Sequence, residues 1–273
     1  MKKASLDSLL PGNYRLISNL STISKVLEQL VLTRRHPHLL TSPNFSQYHS
    51  ACGKGHSTET ALLKVLDGVY TAADNRQVTV LISLDLSAVF NTVDHAILLQ
   101  RLQSEFGVTD IPLSWLHSYL VGRTQLVKLG QQQSQVVGLD VGVPQGSVLG
   151  PLLFAVYSSP VAEVIASRGV QHHQFADNTQ LRLAMAANNT AGRLSILAAC
   201  TADVKLWYMQ NGLQLNPDKS EALIIGTTAQ IHASAVSSVA VAGIENLVAE
   251  EMKVLGVVLD RRLTFEKHVT MVA

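Results

Sequence analysis

The chain has 273 residues, 47% of them hydrophobic, which is enough apolar material for one large core or two small ones. Charged residues are only 15% and the formal net charge is +1, so the overall balance excludes a chain drawn bodily to polyanions, and any phosphate site must be local. Cys52 and Cys200 stand far apart and outside any Cys-x-x-Cys pair, which argues against a disulfide framework and a structural zinc site and fits a reducing compartment.

Met1-Lys2-Lys3 starts like a signal peptide, but no apolar run follows between Ala4 and Tyr14. The first helix is expected over Ile23 to Leu32, and a second from Ser57, where Ser57 or Thr58 can cap the periodic residues Leu62, Leu63, Val65, Leu66, Val69 and Tyr70 and Asp74-Asn75 ends the run. QVTVLISLD follows as a strand, with Val78, Val80, Ile82 and Leu84 on one face and Thr79, Ser83 and Asp85 on the other. NTVDHAILLQRL then predicts a helix capped by Asn91 or Thr92. RTQLVKLGQQQSQVVGL reads as a hairpin turning at the QQQS run.

GVPQGSVLGPLLF is a Gly-Pro-rich loop that enters a helix near Ser147 or Pro151. The apolar stretch from Val148 to Ala166 reads as a buried helix; Pro151, Pro160, two serines and Glu163 argue against a membrane span. QHHQFADNTQLRL predicts two strands reversing at Asp177-Asn178. An amphipathic helix is expected from Thr190 to Gln210, stopped by Asn211-Gly212, then strand, turn and strand over LQLNPDKSEALIIG. KVLGVVLDRRLTFEKHV gives one more strand and the start of a helix. This order predicts a mainly antiparallel sheet with helices packed on one face.

Asp85 at a strand end and Asp177 at a hairpin tip are two carboxylates that adjacent strands can bring together. Hard oxygen ligands of this kind suit Mg²⁺, which binds through one or two carboxylates plus substrate phosphates, the logic of nucleotidyl transfer. Taken alone, an Asp-Asn pair between strands is a turn, a strand-end aspartate is a solvated boundary residue, Phe90 is a core aromatic and Lys219 is a turn lysine. The order of further motifs decides between these readings.

LISLDLSAVFNTVDHAILL, GVPQGSVLGPLLF, QFADNTQL, NGLQLNPDKSEALIIG and KVLGVVLD together resemble the palm motifs of reverse transcriptases of LINE-type (non-long-terminal-repeat) retrotransposons. NYRLISNLSTISKVLEQL and KGHSTETALLKVLDGVY resemble the fingers motifs of the same family, so the resemblance runs from about Asn13 to the end. It implies an α/β (α+β) right-hand polymerase fold of fingers and palm, with an antiparallel catalytic sheet, helices on one face and the thumb largely absent. Fingers would cover 1–76, palm 77–110, a connecting hairpin 111–140, palm again 141–228, and the end of the palm with the start of a truncated thumb 229–273.

The activity implied is RNA-directed DNA synthesis: a primer 3′-hydroxyl attacks a deoxynucleoside triphosphate on an RNA template, with two Mg²⁺ ions, or Mn²⁺ in their place, held by Asp85 and Asp177. Phe90 would disfavour a ribose 2′-hydroxyl, Gln145 and Gly146 would approach the nucleotide and template, and Lys219 would lie near the departing pyrophosphate. The resemblance implies no membrane partner and an intracellular site of action, in nucleus or cytoplasm, and says nothing of protein partners.

Departures from the family pattern are part of the reading. Asn178 stands where the family has a second Asp: it keeps a carbonyl oxygen but brings no charge. A unit charge at about 4 Å through an effective dielectric near 20 is worth roughly 4 kcal/mol, or about a thousandfold in rate if most of it is lost. Cys52-Gly53 replaces a usual Tyr-Arg pair near the triphosphate, where Lys54 is the nearest substitute. Asn91, Leu16 and Gln214 also depart from the pattern. With no endonuclease segment expected before residue 13 and little thumb, an impaired polymerase and a catalytically inactive nucleic-acid-binding remnant both stay open, and an unrelated metal-dependent phosphotransferase lies behind them.

Overall fold

The computed structural model describes residues 17–50, 53 and 55–272. The chain divides into two compact units, one running to Asn44 and from Ala88 to Tyr157, the other made of Phe45–Ser87 and the chain from Ser158 onward.

In chain order the elements begin with helices α1 (Thr22–Leu40) and α2 (Thr58–Asp74), strand β1 (Val78–Ser87) and helices α3 (His95–Ser104) and α4 (Asp110–Leu120). Short strands β2 (Arg123–Gln125), β3 (Lys128–Leu129), β4 (Gln132–Gln133) and β5 (Val137–Leu139) follow, then helices α5 (Gly150–Ser158) and α6 (Val161–Ser167). Strands β6 (Gln171–Phe175) and β7 (Asn178–Met185), helix α7 (Thr190–Gln210), strand β8 (Gln214–Ile225) and helix α8 (Thr228–Ser234) come next. Strands β9 (Ser238–Val241), β10 (Ile244–Ala249), β11 (Glu251–Val254) and β12 (Val257–Asp260) precede helix α9 (Glu266–Val272).

The second unit is organised on one sheet, in the order β6-β7-β1-β8-β10-β9. All its pairings are antiparallel except β10 with β8. The predicted alternation in β1 holds. Val80, Ile82 and Leu84 face the side covered by α7, whose Tyr208 hydroxyl meets Thr179 there. Leu81, Ser83 and Asp85 share the opposite face, where Leu81 joins Val65, Leu66 and Val69 of α2 and Met252, Val254 and Leu259 of the β11–β12 hairpin in one apolar cluster. The expected helices behind an antiparallel sheet are present, and α2 lies across the other face as well. Ser57 caps α2 with a reciprocal box to Thr60, and α7 has the predicted bounds.

The first unit holds a buried carboxylate. Glu28 of α1 is 1% exposed and accepts hydrogen bonds from Ser24 Oγ at 3.2 Å, Tyr119 O–H at 3.3 Å and the Val148 and Leu149 amides at 2.8 and 3.1 Å.

Several expectations are corrected. Asp94, not Asn91 or Thr92, caps α3: its Oδ1 accepts from the Ile97 amide, while Asn91 closes a 3-10 turn over Val89–Asn91. The stretch expected as one buried helix from Val148 is two, because Pro160 has no N–H to continue the ladder and starts α6 instead. Gly150–Ser167 is long and apolar enough by composition to cross a membrane, and 67% of it is buried inside the fold. The hairpin after Arg123 turns at Gly130-Gln131, between β3 and β4, where Gly130 takes φ +61°. The last strand is in fact two, β11 and β12, reversing at Leu255-Gly256, and β9 and β10 were not foreseen.

Candidate active site

Two local features of the second unit place the acidic residues. The β6–β7 register ends on Phe175 opposite Asn178, so the two reversing residues are Ala176 and Asp177, one position earlier than the sequence predicts. Ala176 takes φ 53°, the left-handed conformation that a two-residue hairpin needs at its first position and that glycine fills at lower cost. An alanine there costs about 1 kcal/mol or more. Asp177 is thereby held at the hairpin apex.

β1 runs antiparallel to β7 with Leu84 opposite Thr179. The pairing ends there, Asp85 is the next residue of β1, and Asp177 lies within electrostatic reach of it. On its other side β1 pairs with β8, where the register jumps between Ser83↔Glu221 and Asp85↔Asn216. The four residues Pro217 to Ser220 stand opposite Leu84 alone and form a bulge in one continuous strand, not the expected turn between two strands. A proline in a central strand is tolerated at such a bulge, because it has no N–H to give the ladder. Ser220 ties the bulge down: its Oγ donates to the Asn216 carbonyl at 2.9 Å and accepts from the Asp85 amide at 3.3 Å. Lys219, exposed, rides on this bulge.

The structure thus brings Asp85, Asp177, Asn178 and Lys219 together. Partial burial pushes the Asp85 carboxyl above its ordinary value; Lys219 opposes that shift and Asp177 adds to it. Both neighbours are therefore within electrostatic reach, and the repulsion between the two carboxylates is what a cation would relieve. Among the described residues no group of three or more His, Cys, Asp or Glu could hold a metal. A pair of carboxylates fits a hard divalent cation whose other ligands are water and phosphate oxygens, and does not fit a closed protein cage.

Asn178 is turned to other partners. Its Oδ1 accepts from Ser83 Oγ at 3.3 Å and from the Gln180 side-chain amide. Ser83, Asn178 and Gln180 share the face of Asp85, and Gln180 is buried. The sequence reading missed Ser83 and Gln180; the one available signal was their parity with Asp85 and Asn178 along β1 and β7.

Phe90, Gln145 and Gly146 belong to the first unit. Phe90 is half-buried with its ring centroid 5.8 Å from that of Phe154, and its carbonyl accepts from the Val143 amide at 2.7 Å. A side chain on Gly142 would come within 3.0 Å of that carbonyl, so glycine permits the close approach. Gln145 accepts from the Ser18 amide at 2.9 Å through its backbone carbonyl. Gly146 has φ +94°, a backbone that L side chains rarely adopt. Ser147 Oγ accepts from the Gly150 amide at 3.0 Å, at the start of α5. Lys54 and Cys52 lie outside the described residues.

Residues 1–259 match the family described as reverse transcriptase (RNA-dependent DNA polymerase). Similar proteins include the probable RNA-directed DNA polymerase from transposon X-element of Drosophila melanogaster, 29% identical over 95% of this chain and 28% of that protein. The RNA-directed DNA polymerase from mobile element jockey of the same organism is 28% identical over 94% of this chain and 28% of its own length. The chain therefore spans little more than a quarter of these relatives. Among solved structures, apo telomerase from Candida tropicalis truncated from its C-terminal domain is similar in fold, with a TM-score of 0.60 at 14% identity, covering 89% of this chain and 45% of that one.

Proposed function

The chain belongs to the reverse transcriptase family, as a domain of the LINE-type retrotransposon kind, and on that premise we propose that it works as the fingers and palm of an RNA-directed DNA polymerase. The observation that carries the proposal is that Asp85, in β1, has Asp177 at the apex of the neighbouring β6–β7 hairpin and Lys219 on the β8 bulge within electrostatic reach. The fingers are assigned to 1–76, with the connecting hairpin at 111–140, the palm to 77–110 and 141–228, and the end of the palm and start of the thumb to 229–273.

Asp85 and Asp177 are the residues that would hold Mg²⁺. When bound, divalent cations favour the ionised form of a primer 3′-hydroxyl and offset charge on a departing pyrophosphate. Partial burial pushes the Asp85 carboxyl above its ordinary value and Lys219 opposes that shift, favouring the ionised form that a metal ligand needs. Lys219 is also the group available to give a proton or a charge to the pyrophosphate. In the first unit, Gly146 carries no Cβ to block close approach of nucleotide or template beside Gln145, and the Phe90 ring is the group that would exclude a ribose 2′-hydroxyl. RNA template, DNA primer and deoxynucleoside triphosphates are the partners this reading requires.

The experiment is primer extension by the purified chain on two RNA templates of different sequence. Incorporation that follows the template and needs a divalent cation is expected; incorporation indifferent to template would overturn the reading. A second reading, a remnant that grips nucleic acid without extending it, is favoured by the uncharged Asn178. It predicts no extension together with binding that weakens steeply with salt.

A further inference from the structure

A carboxylate sealed inside a protein is costly unless donors surround it. Glu28 meets that requirement with four, and two of them carry a consequence: Val148 and Leu149 are the residues between the Pro144–Ser147 loop and the first turn of α5. Their amides precede a helix and have no partner within it, and Glu28 Oε2 takes both at 2.8 and 3.1 Å. The anion that answers the start of α5 is therefore built in. A second contact grips the same loop from the same stretch of chain, since the Ser18 amide donates to the Gln145 carbonyl at 2.9 Å. Between these two anchors sits Gly146, in a left-handed conformation and 3.5 Å from the Ile17 side chain at the position of a Cβ. Tyr119, which gives Glu28 its fourth bond, is braced by Trp115 stacked at 5.5 Å and by the Arg123 guanidinium 5.3 Å from its ring.

We propose that Glu28 is a positioning residue: it fixes the shape of the Gln145–Gly146 loop from behind, and through that loop sets the affinity for the incoming deoxynucleoside triphosphate. The second half rests on the polymerase reading above. Glu28 touches no substrate; it acts through Val148 and Leu149.

The test combines amide hydrogen exchange with nucleotide binding, on the full chain and its Glu28→Gln variant. Glutamine keeps the length but loses the charge and one accepting oxygen. Exchange is expected to speed up at least about tenfold in peptides over 143–153, with peptides over β1 and β7 unchanged. The affinity for dTTP, titrated by fluorescence on protein loaded with a dideoxy-terminated primer on an RNA template, should weaken about tenfold, while primer–template affinity stays within about twofold. Should Glu28→Gln fail to fold, Ser24→Ala removes one donor to Glu28 away from the loop and is expected to give smaller changes in the same direction. Unchanged exchange at 143–153, loosening spread evenly over the chain, or a loosened loop with unaltered dTTP affinity each overturns the proposal. A wild type that binds no nucleotide sinks the polymerase reading instead, and the exchange pattern alone then decides the role of Glu28.

Discussion

Ser83 Oγ donates to Asn178 Oδ1 across the β1–β7 pair at 3.3 Å, and this bond fixes the side chain beside Asp177. The Gln180 amide donates to the same oxygen. A carboxylate in place of Asn178 would accept both bonds, and donors of this kind favour its ionised form.

Asn178→Asp is therefore expected to fold without rearrangement and to raise single-nucleotide incorporation by about 10- to 1,000-fold, the range set by restoring up to about 4 kcal/mol of charge interaction. Rapid-quench measurement at fixed Mg²⁺ checks it. Equal rates in both proteins would show that charge at this position is not what limits the site.

Asp85 gives a prediction of opposite sign for stability. Its carboxyl is raised by burial and by Asp177, only partly offset by Lys219, so the folded chain without cation binds that proton more tightly than the unfolded chain does. Ionised Asp85 then costs stability above the ordinary carboxylate range and costs nothing below it. In EDTA near pH 7.5, Asp85→Asn should raise the urea midpoint, with the gain shrinking as pH falls toward 3.8. Added Mg²⁺ should stabilise the wild type and leave the variant unmoved.

Two buried histidines weaken the fold at acid pH. Burial pushes His49 and His172 down to about 4, with His173 acting in the same direction on both. Both are neutral in the fold and take up protons on unfolding, so their contribution is complete above about pH 6.5 and is lost as pH falls from there toward 4. The loss amounts to about 3 kcal/mol per histidine. Urea denaturation at pH 7.5 and pH 5 should show about 2 kcal/mol of it per histidine, and His172→Phe, which keeps a ring against Tyr48, should flatten the profile.

Gly68 sits in the middle of α2, where a Cβ would lie 1.8 Å from Arg182 Cζ. Arg182 donates to the Val65 carbonyl at 2.7 Å and to Gln171 Oε1 at 2.7 Å, bonds it must surrender if displaced. Gly68→Ala should therefore destabilise by about 1–3 kcal/mol despite a helix-propensity gain of about 1 kcal/mol. In an Arg182→Ala background the same change should stabilise. A double-mutant cycle by urea titration reads this change of sign.

Residues whose chemistry and structure are both local were legible in the sequence. The alternation of Val80, Ile82 and Leu84 against Ser83 and Asp85 specified a strand and its faces, and Ser57 and Asn211-Gly212 marked helix ends by capping chemistry alone. Asn-Pro-Asp in β8 was not legible, because the same residues serve a turn and a bulge, and only pairing with β1 decides between them. The hairpin apex slipped by one because Ala176, a poor turn residue, is forced into a left-handed conformation by the strands around it. Glu28 gave no signal, since two of its partners lie 120 and 121 residues away and are backbone amides, which carry no residue identity.

The central claim is that Asp85 and Asp177 act together on one set of divalent ions during nucleotidyl transfer. The most direct test is single-nucleotide incorporation on an RNA template by the Asn178→Asp protein, where the signal is expected to be largest, with and without Asp177→Asn. The account predicts that Asp177→Asn lowers the rate by at least about a thousandfold while leaving primer–template binding within about threefold. An Asp177→Asn protein that extends the primer at close to the parent rate would contradict it.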